Sequence, residues 1–202
     1  MTDFISNSVI EIIRYLGYPG VFLLMTLESV NIPIPSEVIM PFSGFLAMQG
    51  TFNFWAVASV GTLGNVAGSL LSYFLAEWIL KMRNRYGLLK IILSDKHLEK
   101  TNSWFLKYGS YSIFFGRVVP VVRTFISLPA GIGKMNPLKF TYLTFLGSFL
   151  WSLFLTYVGF FLGNNWVAIQ VYFRKIDYAV LGITVVIILY LIFGRRKKKI
   201  IV

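Results

Sequence analysis

The sequence has no cysteine, a single histidine and only eight acidic residues among its 202. Without cysteine it has neither disulfides nor thiolate metal sites. Integral lipid phosphatases use catalytic histidines and metal-dependent phosphotransferases use clustered aspartates, but here His97 stands alone and Asp3, Asp95 and Asp177 lie far apart. The sequence therefore predicts no metal site, no cofactor and no enzyme, with a lipid phosphatase as the weaker alternative.

Charge of either sign is also scarce, at 13% of residues against 56% hydrophobic, and the mean hydropathy is +0.71. These values are typical of an integral membrane protein. The net charge of +11 comes mainly from two basic clusters, seven Lys/Arg between Lys81 and Lys107 and five at 195–199. Because both flank hydrophobic segments, they indicate cytoplasmic loops better than nucleic-acid binding.

Apolar segments of two kinds divide the chain. Some are continuous and long enough to span a bilayer. Others are interrupted by proline and charge, and a broken helix in a membrane must line protein or a water-filled cavity, which indicates re-entrant hairpins of two half-helices. The predicted segments are an interfacial amphipathic helix at 1–17, a re-entrant hairpin at 18–50, a span at 52–80, a cytoplasmic loop at 81–110, a re-entrant hairpin at 111–133, a span at 140–168, a C-terminal span at 178–194 and a basic cytoplasmic tail at 195–202.

The predicted fold is all-α, with two inverted-topology repeats and an extra C-terminal helix. Each repeat is a re-entrant hairpin plus one span, an odd number of crossings, so the two halves have opposite orientations. The spacing from Gly44 to Gly61, 17 residues, is close to the 16 residues from Gly131 to Gly147. This similarity supports the repeat, and a chance match is the alternative. Interrupted hydrophobic segments in corresponding halves indicate a transporter's binding site near the bilayer midplane.

Arg117 and Arg123 lie six residues apart on either side of Pro120, in the second interrupted segment. A charge at bilayer depth is costly and usually faces a cavity or a partner. The planar guanidinium suits phosphate oxygens, so both arginines are candidate substrate-binding residues. The alternative is that they snorkel to the cytoplasmic interface.

Glu28 and Glu37 flank Pro33 and Pro35 in the first interrupted segment. Pro33, Pro35 and Pro120 are the predicted helix breaks of the two segments. A carboxylate in a low-dielectric environment can take up a proton, which makes proton coupling one reading. The other is a buried ion pair with the arginines, and the two readings are compatible.

An ordered set of motifs closely resembles the DedA family of bacterial membrane proteins, which are related to eukaryotic proteins with the VTT domain. The resemblance covers roughly residues 14 to 165. The motifs are Glu28-x4-Pro33-x-Pro35-Ser36-Glu37, Gly44-Phe45-Leu46-Ala47, Phe115-Gly116-Arg117-x2-Pro120-x2-Arg123 and Pro129-Ala130-Gly131.

The resemblance implies two opposed re-entrant hairpins in a bacterial plasma membrane and a lipid-translocating role. It implies undecaprenyl phosphate as the substrate, with phosphatidylethanolamine or general phospholipid scrambling as the alternative and a non-transporting assembly factor as a lesser one. Glu28, Glu37, Arg117 and Arg123 correspond to the family's essential acids and arginines. Some relatives carry aspartate in place of Glu37. Protons and a second copy of the chain are further expected partners.

Overall fold

A computed structural model describes residues 2–32, 34–83, 111–119 and 122–163, and every element of regular secondary structure in these ranges is a helix. The predicted helix breaks Pro33 and Pro120, most of the basic loop, the C-terminal span and the basic tail lie outside the described residues. The helices are α1 (Thr2–Leu16), α2 (Tyr18–Ser29), α3 (Ser36–Met48), α4 (Phe54–Met82), α5 (Tyr111–Val118), α6 (Val122–Phe125), α7 (Ser127–Ile132) and α8 (Pro137–Leu162).

Helix α1 is amphipathic, and its apolar face packs against α2 and α3. Val9 and Ile13 are buried there, while Tyr15 on the opposite face is 90% exposed. Gly17 adopts a φ of 67°, a left-handed conformation that suits glycine and ends α1 so that α2 can begin at the next residue.

The first interrupted segment folds as two helices separated at residues 30–35. Helix α2 ends at Ser29, and Asn31 follows in the left-handed region with a φ of 74°. Pro35 then stands at the N-cap of α3, where its missing N–H has no cost. The second interrupted segment contains three short helices, α5, α6 and α7, instead of the two half-helices that the sequence predicted.

Helices α4 and α8 are the two in the described ranges that are long and apolar enough to cross a membrane. Both begin in the same way, with an asparagine side chain that caps the helix. Asn53 accepts a hydrogen bond from Ala56 N, and Asn136 accepts one from Lys139 N, each at 3.1 Å. Such caps satisfy backbone donors that the first turn leaves free. Helix α8 therefore begins three residues before the span that hydropathy alone predicted.

Glycines allow the short helices to pack closely against the two long ones. A Cβ on Gly68 of α4 would lie 2.2 Å from the Thr26 carbonyl oxygen of α2, and one on Gly147 of α8 would lie 2.6 Å from Arg117 Cβ of α5. Thus α2 packs on α4, and α5 packs on α8. The first helix of each interrupted segment lies against the long helix that follows it in sequence.

The later helices of each interrupted segment cross to the other long helix. A Cβ on Gly44 of α3 would lie 2.2 Å from the Thr156 carbonyl oxygen of α8, and one on Gly131 of α7 would lie 2.3 Å from the Tyr73 carbonyl oxygen of α4. Thus α3 packs on α8, and α7 packs on α4. The two halves of the described structure are therefore interlocked, and the long helices also contact each other.

Candidate functional site: a buried arginine pair

An ion pair joins the end of α2 to the short helix α6. Arg123 Nη2 lies 3.0 Å from Glu28 Oε2, and the two residues are 2% and 5% exposed. Glu28 is on the face of α2 that packs against α4, with Leu24 and Met25 buried on the preceding turn. The helical repeat that buries these apolar side chains therefore also buries the carboxylate.

Polar side chains from three elements complete the surroundings of the Glu28 carboxylate. Oε2 accepts hydrogen bonds from Ser29 Oγ at 3.1 Å and from Asn65 Nδ2 at 3.5 Å, and Oε1 accepts one from Thr124 Oγ1 at 3.4 Å. Ser148 Oγ in turn donates to Asn65 Oδ1 at 2.6 Å. This network links both long helices to the ion pair, and such bonding is what a buried charge requires.

Arg117 occupies the last turn of α5 and is 1% exposed. Its Nη1 donates to the Arg123 carbonyl oxygen at 2.6 Å, and Nη2 donates to Ser127 Oγ at 2.8 Å and to Thr144 Oγ1 at 3.4 Å. The guanidinium also lies 5.7 Å from the ring centre of Phe140. Both arginines are therefore enclosed by protein, and neither snorkels to an interface as the alternative reading held.

The charges of this cluster do not balance within the described residues. Arg123 is paired with Glu28, but no carboxylate of the described part forms an ion pair with Arg117. Two arginines and one carboxylate leave one buried positive charge, which is costly without a counter-ion. Three buried N–H donors of this cluster also have no hydrogen-bond partner among the described residues: Arg117 Nε, Arg123 Nη1 and Trp151 Nε1. An anion with several acceptor oxygens would supply both the missing negative charge and the missing hydrogen-bond acceptors.

The other predicted site residues are not members of this ion pair. Glu37 is in the first turn of α3, half-buried, and its Oε2 accepts a hydrogen bond from Ser36 Oγ at 3.2 Å. Among the described residues it forms no ion pair with either arginine. Of the predicted helix breaks only Pro35 is described, at the N-cap of α3. The structure thus brings together three of the four predicted charges.

The sequence interpretation missed several of the polar residues that surround the charged cluster. Asn65, Ser127 and Trp151 were not singled out, yet each lies within this cluster or contacts it. A signal was present in α8, where hydroxyl side chains recur every four residues and therefore share one face. All of them are buried: Thr144, Ser148, Ser152 and Thr156.

The fold and the cluster define an all-helical membrane protein with a polar, positively charged site enclosed among its helices. In the described ranges, no three His, Cys, Asp or Glu side chains come together in a way that could hold a metal ion. The VTT domain family matches residues 34–161. The chain belongs to this family, which includes the DedA proteins.

Named relatives match nearly the whole chain. Undecaprenyl phosphate transporter A of Staphylococcus aureus (strain NCTC 8325 / PS 47) is 30% identical over 198 residues, 94% of this chain and 97% of the relative. The protein of the same name from Bacillus subtilis (strain 168) is 30% identical over 193 residues, 94% of each chain. An "Alkaline phosphatase-like protein" of Lactococcus lactis subsp. cremoris (strain MG1363) is 34% identical over 198 residues, 93% and 92%. No solved structure gives a significant match.

Proposed function

We propose that this protein transports a lipid with an anionic phosphate headgroup across a bacterial plasma membrane, and that the lipid is undecaprenyl phosphate. The observation that carries the proposal is the unbalanced positive charge of the buried arginine cluster, together with its unpartnered N–H donors. The names of the Staphylococcus aureus and Bacillus subtilis relatives support the particular lipid.

The phosphate would bind at the arginine cluster while the hydrocarbon chain stays in the bilayer. Arg123 already uses Nη2 for Glu28 and retains Nη1 for a ligand. An incoming phosphate would compete with Glu28 for the guanidinium, so that binding and release of the lipid are coupled to breaking and re-forming one ion pair. Protonation of Glu28 would weaken the same pair, which gives protons a defined place in the cycle. Glu37 would serve at a different stage, since it lies outside the pair.

We also propose the inverted-repeat topology, with two re-entrant hairpins entering from opposite sides and the C-terminus in the cytoplasm. The reciprocal packing supports this topology. In the first half α2 packs on α4 and α3 packs on α8. In the second half α5 packs on α8 and α7 packs on α4, which is the same pattern with the long helices exchanged. Cysteines introduced at Asn7 and Lys96 test the orientation. Labelling of Asn7→Cys from outside and of Lys96→Cys from inside is expected, and the reverse would overturn it.

A phosphatase is the second candidate function, because the Lactococcus lactis relative is named for that activity. Such an enzyme would bind the same phosphate group and then release it from the lipid. Incubation of purified protein with undecaprenyl phosphate, followed by measurement of inorganic phosphate, separates the two functions. Multiple-turnover phosphate release would replace the transport proposal with hydrolysis.

Transport is tested in proteoliposomes that contain either undecaprenyl phosphate or labelled phosphatidylethanolamine, with and without a pH gradient. We expect selective movement of undecaprenyl phosphate, and loss of movement in Arg117→Ala and Arg123→Ala protein that remains folded. Lys139→Ala is the control, because Lys139 is an exposed cation at the start of α8. Movement of phosphatidylethanolamine alone would change the substrate, and full activity of both arginine variants would refute the role of the site.

A further inference from the structure

Trp151 presents an unused hydrogen-bond donor beside the ion pair. Its indole ring lies 5.3 Å from Arg123 Cζ, within cation–π distance. Its Nε1 atom is buried and has no hydrogen-bond partner among the described residues. A buried tryptophan N–H usually finds a partner, because an unsatisfied donor costs free energy. Among the described residues, this donor therefore lacks the acceptor that it needs.

Trp151 lies on the face of α8 that is turned toward the cluster. It follows Ser148 by three residues, so the two share a helix face. Ser148 bonds to Asn65, which bonds to Glu28. Two unpartnered donors, Trp151 Nε1 and Arg123 Nη1, thus belong to side chains that contact each other.

We propose that Trp151 is a ligand-contacting residue whose indole N–H donates to a non-bridging oxygen of the lipid phosphate, next to Arg123. The inference rests on the proposed function and adds a residue that contacts the phosphate. An indole N–H donates and never accepts, so it complements the acceptor oxygens of a phosphate headgroup.

The test compares Trp151→Phe with wild type and with Trp78→Phe, in which the replaced indole is 55% exposed on α4. Phenylalanine keeps an aromatic ring beside Arg123 and removes the N–H together with part of the bicyclic ring. We expect about a tenfold rise in the undecaprenyl phosphate concentration for half-maximal transport, the usual effect of losing one hydrogen bond to a charged group. The maximal rate and the Trp78→Phe protein should change little.

Thermal unfolding in detergent separates ligand contact from a structural role. Because the indole N–H has no partner among the described residues, its loss removes no internal hydrogen bond, and the ligand-free midpoint of Trp151→Phe should fall only by the effect of the smaller ring. The upward shift that undecaprenyl phosphate causes should be smaller in the variant. A lower ligand-free midpoint with an unchanged ligand-induced shift would make Trp151 a structural residue and overturn the proposal.

The indole N–H resonances of the protein give a second measurement. In protein labelled with ¹⁵N-tryptophan, undecaprenyl phosphate should move one indole N–H resonance downfield, and Trp78→Phe should retain that shift. If wild type transports the lipid but no indole resonance moves and Trp151→Phe keeps its affinity, this inference fails alone. If wild type neither binds nor moves the lipid, the proposed function fails.

Discussion

Replacing Glu28 by glutamine removes one charge from the buried cluster and keeps its shape. The amide has nearly the same volume as the carboxylate, and its oxygen can still accept from Arg123, which now lies 3.0 Å from Glu28 Oε2. What changes is the charge balance, because both buried arginines would then lack a carboxylate among the described residues.

The size of the effect follows from burial. The side chains of Arg123 and Glu28 are only 3% and 7% exposed, and removing one partner of a buried pair costs about 3–5 kcal/mol. For a protein of this length each kcal/mol shifts the midpoint by roughly 2–4 °C. We therefore expect Glu28→Gln to lower the midpoint of thermal unfolding by on the order of 10 °C.

Glu77→Gln is the matched control for this substitution. Glu77 pairs with Lys81 at 3.1 Å, but those side chains are 28% and 71% exposed. Because exposed pairs contribute about 0–1 kcal/mol, this variant should unfold close to wild type. The assay is unfolding of purified ligand-free protein in detergent. The reasoning would be refuted by equal midpoints for the two variants.

A double variant tests whether the uncompensated charge is the cause. Adding Arg123→Gln to Glu28→Gln removes both members of the pair, so the double variant should be more stable than the sum of the two single effects predicts. A non-additive recovery of about 1 kcal/mol or more would support the ion pair as the source of the loss. Strict additivity would show that the two side chains act independently.

Two further predictions concern the packing of the long helices. Gly159→Ala should lower the unfolding midpoint more than Gly61→Ala. A Cβ on Gly159 would lie 1.9 Å from the backbone of Pro41, whereas a Cβ on Gly61 would meet the flexible end of a methionine side chain. Equal losses in the two variants would contradict the close crossing of backbones at Gly159. Asn65→Leu should lower the free energy of unfolding by about 1–3 kcal/mol, because Ser148 loses its hydrogen-bond acceptor. Adding Ser148→Ala should restore part of that stability. If unfolding measurements show no recovery in the double variant, the Ser148–Asn65 hydrogen bond is not the cause.

Local sequence patterns carry information on helix ends but little on the site. Pro35 was predicted as a helix break, and the Asn53 and Asn136 caps, which were not predicted, also mark helix ends that depend on neighbouring residues alone. The choice of ion-pair partner does not, since Glu28 and Glu37 were equivalent candidates in sequence. Only the packing of α2 against α4 directs Glu28 to Arg123. The unpartnered donors could not be predicted from the sequence either, because they depend on which acceptors the neighbouring helices bring within reach of each side chain.

The glycine crossings have a consequence for how the chain is made. Helix α3 packs mainly on α8, whose first residue, Pro137, is synthesised long after α3 has left the ribosome. The face of α3 that contains Gly44 would therefore lack its partner, α8, until the second half of the protein has been synthesised. A chaperone or the insertion machinery would have to shelter that face, and the first half expressed alone should be degraded unless the second half is supplied with it.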